Sequence, residues 1–342
     1  MYRRFFSQKL FLVIIFACFH HNVLAQDSTV TVKAEKGDGI YSLLRKQGVN
    51  PYKYFDKFVA INQSNLRDSI HLYAGRTYKI PSIIKIDVDK IDVVEKESKV
   101  IISHEIFGKK FKETEVISTR LKGNIYYLIS GHGGPDPGTV TKYNNKLLAE
   151  DEYAYDITLR LAKELISHSA TVYMIVRDED DGIRNKRLLT VDHDERVYPN
   201  KKIPLNQMKR LIQRTEVVNA LYHKHKGAYR RLIVTHIDSR SKGENIDVFF
   251  YHHKKSKNGQ RLAESIHKVF QKKYKKYQPN RDYNGTFSHR NLYLVNYTLP
   301  AMTYIEIGNL QNKKDQKRII YPVNRQALAE WISQGVLDDY EN

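Results

Sequence analysis

The stretch NIYYLISGHGGPDPG, from Asn124 to Gly138, limits the folds open to this chain more than any other. An apolar run without alternation, Ile125 to Ile129, stops at Ser130 and gives way to four glycines and two prolines around His132 and Asp136. A continuous apolar run bounded by such residues is the signature of a buried strand that ends in a tight loop. Glycine admits positive φ and close backbone approach, and proline fixes its neighbours, so this loop can hold one imidazole in a set direction. The chain has 14 histidines, and it is this placement that singles out His132.

Downstream, strand and helix patterns alternate. Apolar runs at Thr171 to Val176, Arg231 to Thr235, Ile246 to Tyr251 and Met302 to Ile307 are separated by helical periodicity at Asp151 to Ser167, Leu205 to Lys224, Gly259 to Lys275 and Arg325 to Leu337. That alternation predicts an α/β domain over 121–342, a mainly parallel sheet flanked by helices. Ligands of open sheets gather beyond the carboxyl ends of the strands. The rule sorts the candidates: His132 follows the first strand, Arg177 the second, His236 ends the third in LIVTHIDSR, and Glu306 lies near the end of the last in TYIEIGN. Glu150 opens the first helix, where Asp151 and Glu152 compete for the same role. A charged residue inside an apolar strand needs a partner or a task, which draws attention to Glu306. The polar excursion between Arg177 and Leu205 lies near the same rim, either touching substrate or serving as a surface loop.

The chemistry of these side chains is complementary. A hydrolytic zinc takes three nitrogen or oxygen ligands and keeps one position for a water, whose pKa falls to about 7. Two histidines and one glutamate meet that need, and a second carboxylate outside the metal's ligands would carry the proton. The one cysteine, Cys18, lies in the N-terminal segment, so disulfides and thiolate metal sites are excluded from the rest of the chain.

The segment MYRRFFSQKLFLVIIFACFHHNVLAQ has a basic start (Arg3, Arg4, Lys9), an apolar core from Leu10 to Phe19 and a small-residue exit before Gln26. It reads as an export signal over 1–25, cleaved after Ala25. Lipid attachment at Cys18 is the weaker alternative because Phe16 is bulky where lipoboxes prefer a smaller residue. The 57 basic and 38 acidic residues give a net charge of +19, and losing the three basics of the signal leaves +16. Such a balance suits polyanionic surroundings, and export favours the periplasm or cell envelope over nucleic acid. The run KVFQKKYKKYQPNR reads as a solvated helix end, so no nucleic-acid partner is expected.

Between these parts, Thr29 to Pro81 has an alternating strand, a turn at Gly37-Asp38-Gly39, helical spacing at Ile40, Leu43 and Leu44, and a closing strand before Pro81. This small α+β pattern resembles a LysM module through Gly37-Asp38, Asn62, Gly75 and Ile80-Pro81. The resemblance implies binding of the N-acetylglucosamine-containing strands of peptidoglycan or chitin by residues 29–82; a plain spacer is the alternative. Residues 83–120 read as a linker with edge strands around Gly108.

GHGGPDPG, Glu150 at a helix start, THIDS around His236 and LPAMTYIEIGNLQN around Glu306 together resemble the zinc-dependent N-acetylmuramoyl-L-alanine amidases of bacterial cell walls. The resemblance implies that His132, Glu150 and His236 bind Zn2+ and that Glu306 is the general base and acid. It also implies that Arg177, Arg214, Asn219 and Asn309 support the site or face the substrate. The expected reaction is hydrolysis of the amide between N-acetylmuramic acid and L-alanine of the stem peptide. A catalytically inactive wall-binding scaffold and a zinc peptidase acting within the stem peptide are the alternatives, and a regulatory protein partner is left open.

Overall fold

The structure is a computed structural model describing residues 30–47, 49, 51–67, 71–81, 99–238 and 245–342. The export signal with Cys18 and the first part of the expected linker lie outside these residues. The chain divides into two compact units, Met1–Val93 and Val94–Asn342.

In the first unit, strand Val30–Lys33 pairs antiparallel with Thr77–Ile80, and helices Ile40–Lys46 and Pro51–Asn62 lie between them in sequence. Leu43, Leu44, Phe58 and Tyr78 are fully buried. The Asn62 carboxamide works as a strand partner: its Oδ1 accepts from Lys79 N at 2.8 Å and its Nδ2 donates to Lys79 O at 2.7 Å. Gly37, at φ 97°, makes the turn that leads to the first helix.

The second unit is built on a six-stranded sheet. Its strands are β1 (Ile125–Ser130), β2 (Thr171–Met174), β3 (Arg230–Asp238), β4 (Phe249–His252), β5 (Thr286–His289) and β6 (Ala301–Asn309), in the spatial order β5-β4-β6-β3-β1-β2. The helices are α1 (Glu150–Ser167), α2 (Gln207–Lys224), α3 (Lys257–Tyr277), α4 (Tyr293–Tyr297), α5 (Lys313–Ile320) and α6 (Pro322–Glu341). β2, β1, β3 and β6 run parallel, as the alternating pattern predicts. β4 and β5 are the exceptions: they run parallel to each other and β4 is antiparallel to β6, so the sheet is mixed. The connection from β3 to β4, 239–248, is shorter than the dozen or so residues a parallel crossover takes, in keeping with the reversed direction of β4 across β6. β5 has no sequence signal because Thr286, Ser288 and His289 are polar and exposed at the edge.

Alternating residues of the central strands serve two cores. Tyr126, Leu128, Ile233 and Ile305 pack with residues of α1, α3 and α6, whereas Tyr127, Ile129, Leu232, Val234 and Met302 pack with residues of α2 and α4. Burial on both faces explains why β1 reads as a continuous apolar run. The antiparallel pair Ile101–Ser103 and Glu113–Glu115 belongs to the same body: Phe107 between them is fully buried in the first core, and Lys163 of α1 donates to Phe111 O at 2.7 Å.

α1 is anchored by charge as well as by its apolar stripe. Asp156 is fully buried and receives the Nε of Arg160 at 2.7 Å and the Nε of Arg325 at 2.6 Å. Arg325, itself fully buried, also donates to the carbonyls of Ile320, Arg184 and Lys186. Burial alone would favour the protonated acid, but the two guanidiniums hold the Asp156 carboxyl below its ordinary range. Replacing Asp156 by Ala strands two buried cations and is expected to cost about 3–5 kcal/mol in urea unfolding. Because the carboxyl's pKa is depressed in the folded state, its stabilisation is complete above about pH 4 and is lost as pH falls below that value. An acid titration of stability should therefore be flatter in Asp156→Ala than in the wild type.

Candidate active site

The carboxyl ends of β1, β3 and β6 meet the N-terminus of α1 at a cleft of about 360 Å³ lined by His132, Asp136, Glu150, Arg210, Arg214, His236, Tyr304 and Glu306, among others. The glycine loop closes against this rim with almost no spare room. A Cβ at Gly131 would stand 2.4 Å from the His236 ring, and one at Gly138 would stand 2.6 Å from the His132 ring and 2.8 Å from Glu150 Oε2. These two glycines let three side chains from separate segments converge. His132 itself takes φ 60°, and its strained carbonyl is held by the guanidinium of Arg214.

The two imidazoles lie 4.8 Å apart, nearly perpendicular, with the Glu150 carboxylate between them. Glu150 Oε1 is 3.2 Å from His132 Nε2 and 3.0 Å from His236 Nδ1, and it also accepts from Ile237 N at 3.0 Å. Glu150 Oε2 accepts from Thr139 N at 3.1 Å. Each ring is fixed from behind: His132 Nδ1 bonds Asp136 Oδ2 at 3.0 Å, and His236 stacks on Tyr304 at 4.6 Å with an interplanar angle of 13°. Asp136 Oδ2 in turn receives Arg210 Nη2 at 2.7 Å.

The electrostatics agree with a cation site. Burial alone would favour the neutral His132 ring, but its hydrogen bonds to Asp136 and Glu150 outweigh that and raise its pKa to about 10. Burial also favours a protonated Glu150, yet the two imidazoles hold its carboxyl well below the ordinary range. Burial keeps His236 below its ordinary value and brings the Arg214 guanidinium down to about 10. The positive charge that a proton on His132 contributes is one that a divalent cation supplies more fully. One donor atom from each of His132, Glu150 and His236 lies within 4.8 Å of the others, so the residues fit a metal ion.

Glu306 stands directly opposite His236 in the β3–β6 pairing. Cross-strand partners project from the same face, so the carboxylate stands beside the cluster, in the same cleft. Arg214 also reaches the cleft. Arg177, Asn219 and Asn309 do not line it: Arg177 pairs with Arg196 across a small sheet and donates to Pro199 O at 3.3 Å. Asn219 bridges Tyr297 O and Leu299 N, and Asn309 Oδ1 caps the N–H of Gln311 at 2.9 Å. Arg210, Asp136 and Tyr304 join the site without being expected there. Arg210 stands one helical turn before Arg214, and Tyr304 lies two residues before Glu306 on the same strand face, spacings that could have pointed to them.

A carboxylate–imidazole donor set at the carboxyl edge of an α/β sheet, with a further carboxylate beside it, is an arrangement that metal-dependent hydrolases use. Residues 127–338, more than half the chain, match the sequence profile of the N-acetylmuramoyl-L-alanine amidases, and the chain belongs to that family. Three solved structures illustrate the likeness. The CwlD amidase from Clostridioides difficile in complex with the GerS lipoprotein is 20% identical, with 64% of this chain and 98% of that one covered and a TM-score of 0.49. For the N-acetylmuramyl-L-alanine amidase of Mycobacterium smegmatis the figures are 14%, 65%, 98% and 0.47. For the catalytic domain of CwlV from Bacillus (Paenibacillus) polymyxa they are 18%, 63%, 97% and 0.44. A search of curated proteins finds no match to this sequence.

Replacing Asp136 by Ala frees the His132 ring and leaves Arg210 without its carboxylate. Metal affinity, measured by competition with a chromogenic chelator, is expected to drop about 10–100-fold. Gly138→Ala should be more severe, because both clashing groups are donors of the cluster.

Proposed function

We propose that this chain hydrolyses the amide between N-acetylmuramic acid and the L-alanine of the peptidoglycan stem peptide, with Zn2+ held by His132, Glu150 and His236. The observation that carries the reading is the pairing of His236 with Glu306 across adjacent parallel strands, which puts a carboxylate beside a three-donor cluster. When bound, zinc supplies Lewis acidity toward the scissile carbonyl and lowers the pKa of the attacking water to about 7. Glu306 accepts that water's proton and returns it to the alanine nitrogen as the amide bond breaks. Asp136 and Tyr304 keep the two imidazoles aligned, and Arg214 keeps the His132 backbone in its strained conformation.

The remaining parts fit the same task. We assign 1–25 to an export signal, 29–82 to a LysM-like module that tethers the enzyme to glycan strands, 83–120 to the segment that leads into the catalytic domain and packs against it around Phe107, and 121–342 to the catalytic domain. Export to the periplasm or envelope supplies the substrate, and tethering raises its local concentration without new contacts at the chemistry. The basic charge suits an anionic wall and makes binding weaken with salt.

Isolated sacculi treated with the zinc-loaded wild type should release peptides with free L-alanine amino termini and leave the sugars intact. Glu306→Gln is expected to lower the rate by about 10²–10⁴-fold while keeping stoichiometric zinc, and a chelator should silence the wild type. Peptides cut within the stem would identify a peptidase instead, and an unaltered wall would identify a binding scaffold.

A further inference from the structure

Next to the zinc ligand Glu150, the first turn of α1 carries two more acids, Asp151 and Glu152, that face inward. Their exposures are 1% and 2%, and Glu195, from the polar excursion between Arg177 and Leu205, joins them at 5%. One carboxylate oxygen from each lies within 4.8 Å of the others. The existing contacts leave this cluster incompletely satisfied. Glu152 Oε2 pairs with Arg184 Nη1 at 2.7 Å and its Oε1 accepts from Asp192 N at 3.0 Å. Glu195 Oε2 accepts the N–H of Gly134 at 2.5 Å. Asp151 Oδ1 accepts from Glu152 N at 2.9 Å, but its Oδ2 is buried and has no hydrogen-bond partner. Among the described residues, neither Asp151 nor Glu195 forms a salt bridge.

Three buried carboxylates share a single guanidinium here, and Arg184 also pairs with Asp181. An ion bound among the three carboxylates would give Asp151 Oδ2 the partner that the protein itself does not supply. We propose that Asp151, Glu152 and Glu195 form a second metal site, separate in chemistry from the histidine-containing one, that takes a hard divalent cation of the calcium type. The donors are all oxygens, which suits calcium, and irregular sets of carboxylates suit its flexible coordination better than the strict octahedron of magnesium. The role is structural. The ion ties the excursion to the start of α1, and through Glu195 it steadies Gly134 in the loop that carries His132.

The test uses the full chain, stripped of metal and reloaded with one equivalent of zinc, titrated with terbium and then with calcium. One further equivalent of terbium should bind saturably, with luminescence sensitised by nearby tyrosines, and calcium should displace it. Asp151→Asn and Glu195→Gln should each weaken that uptake by about tenfold or more while zinc stoichiometry stays at one. In the wild type, calcium should also slow tryptic cleavage between Arg184 and Arg196, a readout that needs no variant. Absence of saturable uptake at millimolar calcium, uptake by both variants equal to that of the wild type, or unchanged cleavage with calcium would each overturn the proposal.

Discussion

The site depends on the backbone of the glycine loop lying in van der Waals contact with the rings it presents. Gly131 presses on His236 and Gly138 on His132 and Glu150, at distances no side chain tolerates. That contact holds a histidine from a loop, a histidine from a strand and a glutamate from a helix start in one place, and it makes the donors' separation a property of packing. The hydrogen bonds around Glu150 then refine it: its two oxygens take backbone N–H groups from Thr139 and Ile237, so the carboxylate cannot swing away from the imidazoles.

Although strongly basic, the chain buries many of its acids, and three of them are each held by a pair of arginines. Asp156 is held by Arg160 and Arg325, Asp339 by Arg231 and Arg261, and Asp247 by Arg281 and Arg318. Arginine's planar fork suits such pairs because it satisfies a carboxylate and nearby carbonyls together. The Asp156 group matters most for chemistry, since it fixes α1, whose first residue is Glu150, to α6 and to the excursion that begins after Arg177.

Much of this was legible in the sequence because the signals were local. The apolar run of β1, the glycine loop after it and the alternation of strand and helix all report on neighbouring residues, and the carboxyl-edge rule gathered His132, His236 and Glu306 together with Arg177, while only the family resemblance picked Glu150 over Asp151 and Glu152. What escaped depends on distant pairing. The reversed direction of β4 shows only in its pairing with β6, and β5 is an edge strand of polar residues with no periodic signature. Asn144 and Asn145, both at positive φ, mark the turn of a hairpin between Val140 and Ala149 that the charged, polar spelling concealed. Arg177 and Asn309 follow or end strands at the same rim as His132 and His236, yet each bonds nearby backbone groups, a distinction that position along the chain cannot express.

The pairing of His236 with Glu306 has an evolutionary side. Both residues are held by the ladder between two adjacent strands, so their separation is independent of how much chain runs between them. Loops between β3 and β6 can therefore change in length without altering that separation, whereas β4 and α3 are held by their own packing against β6 and the core.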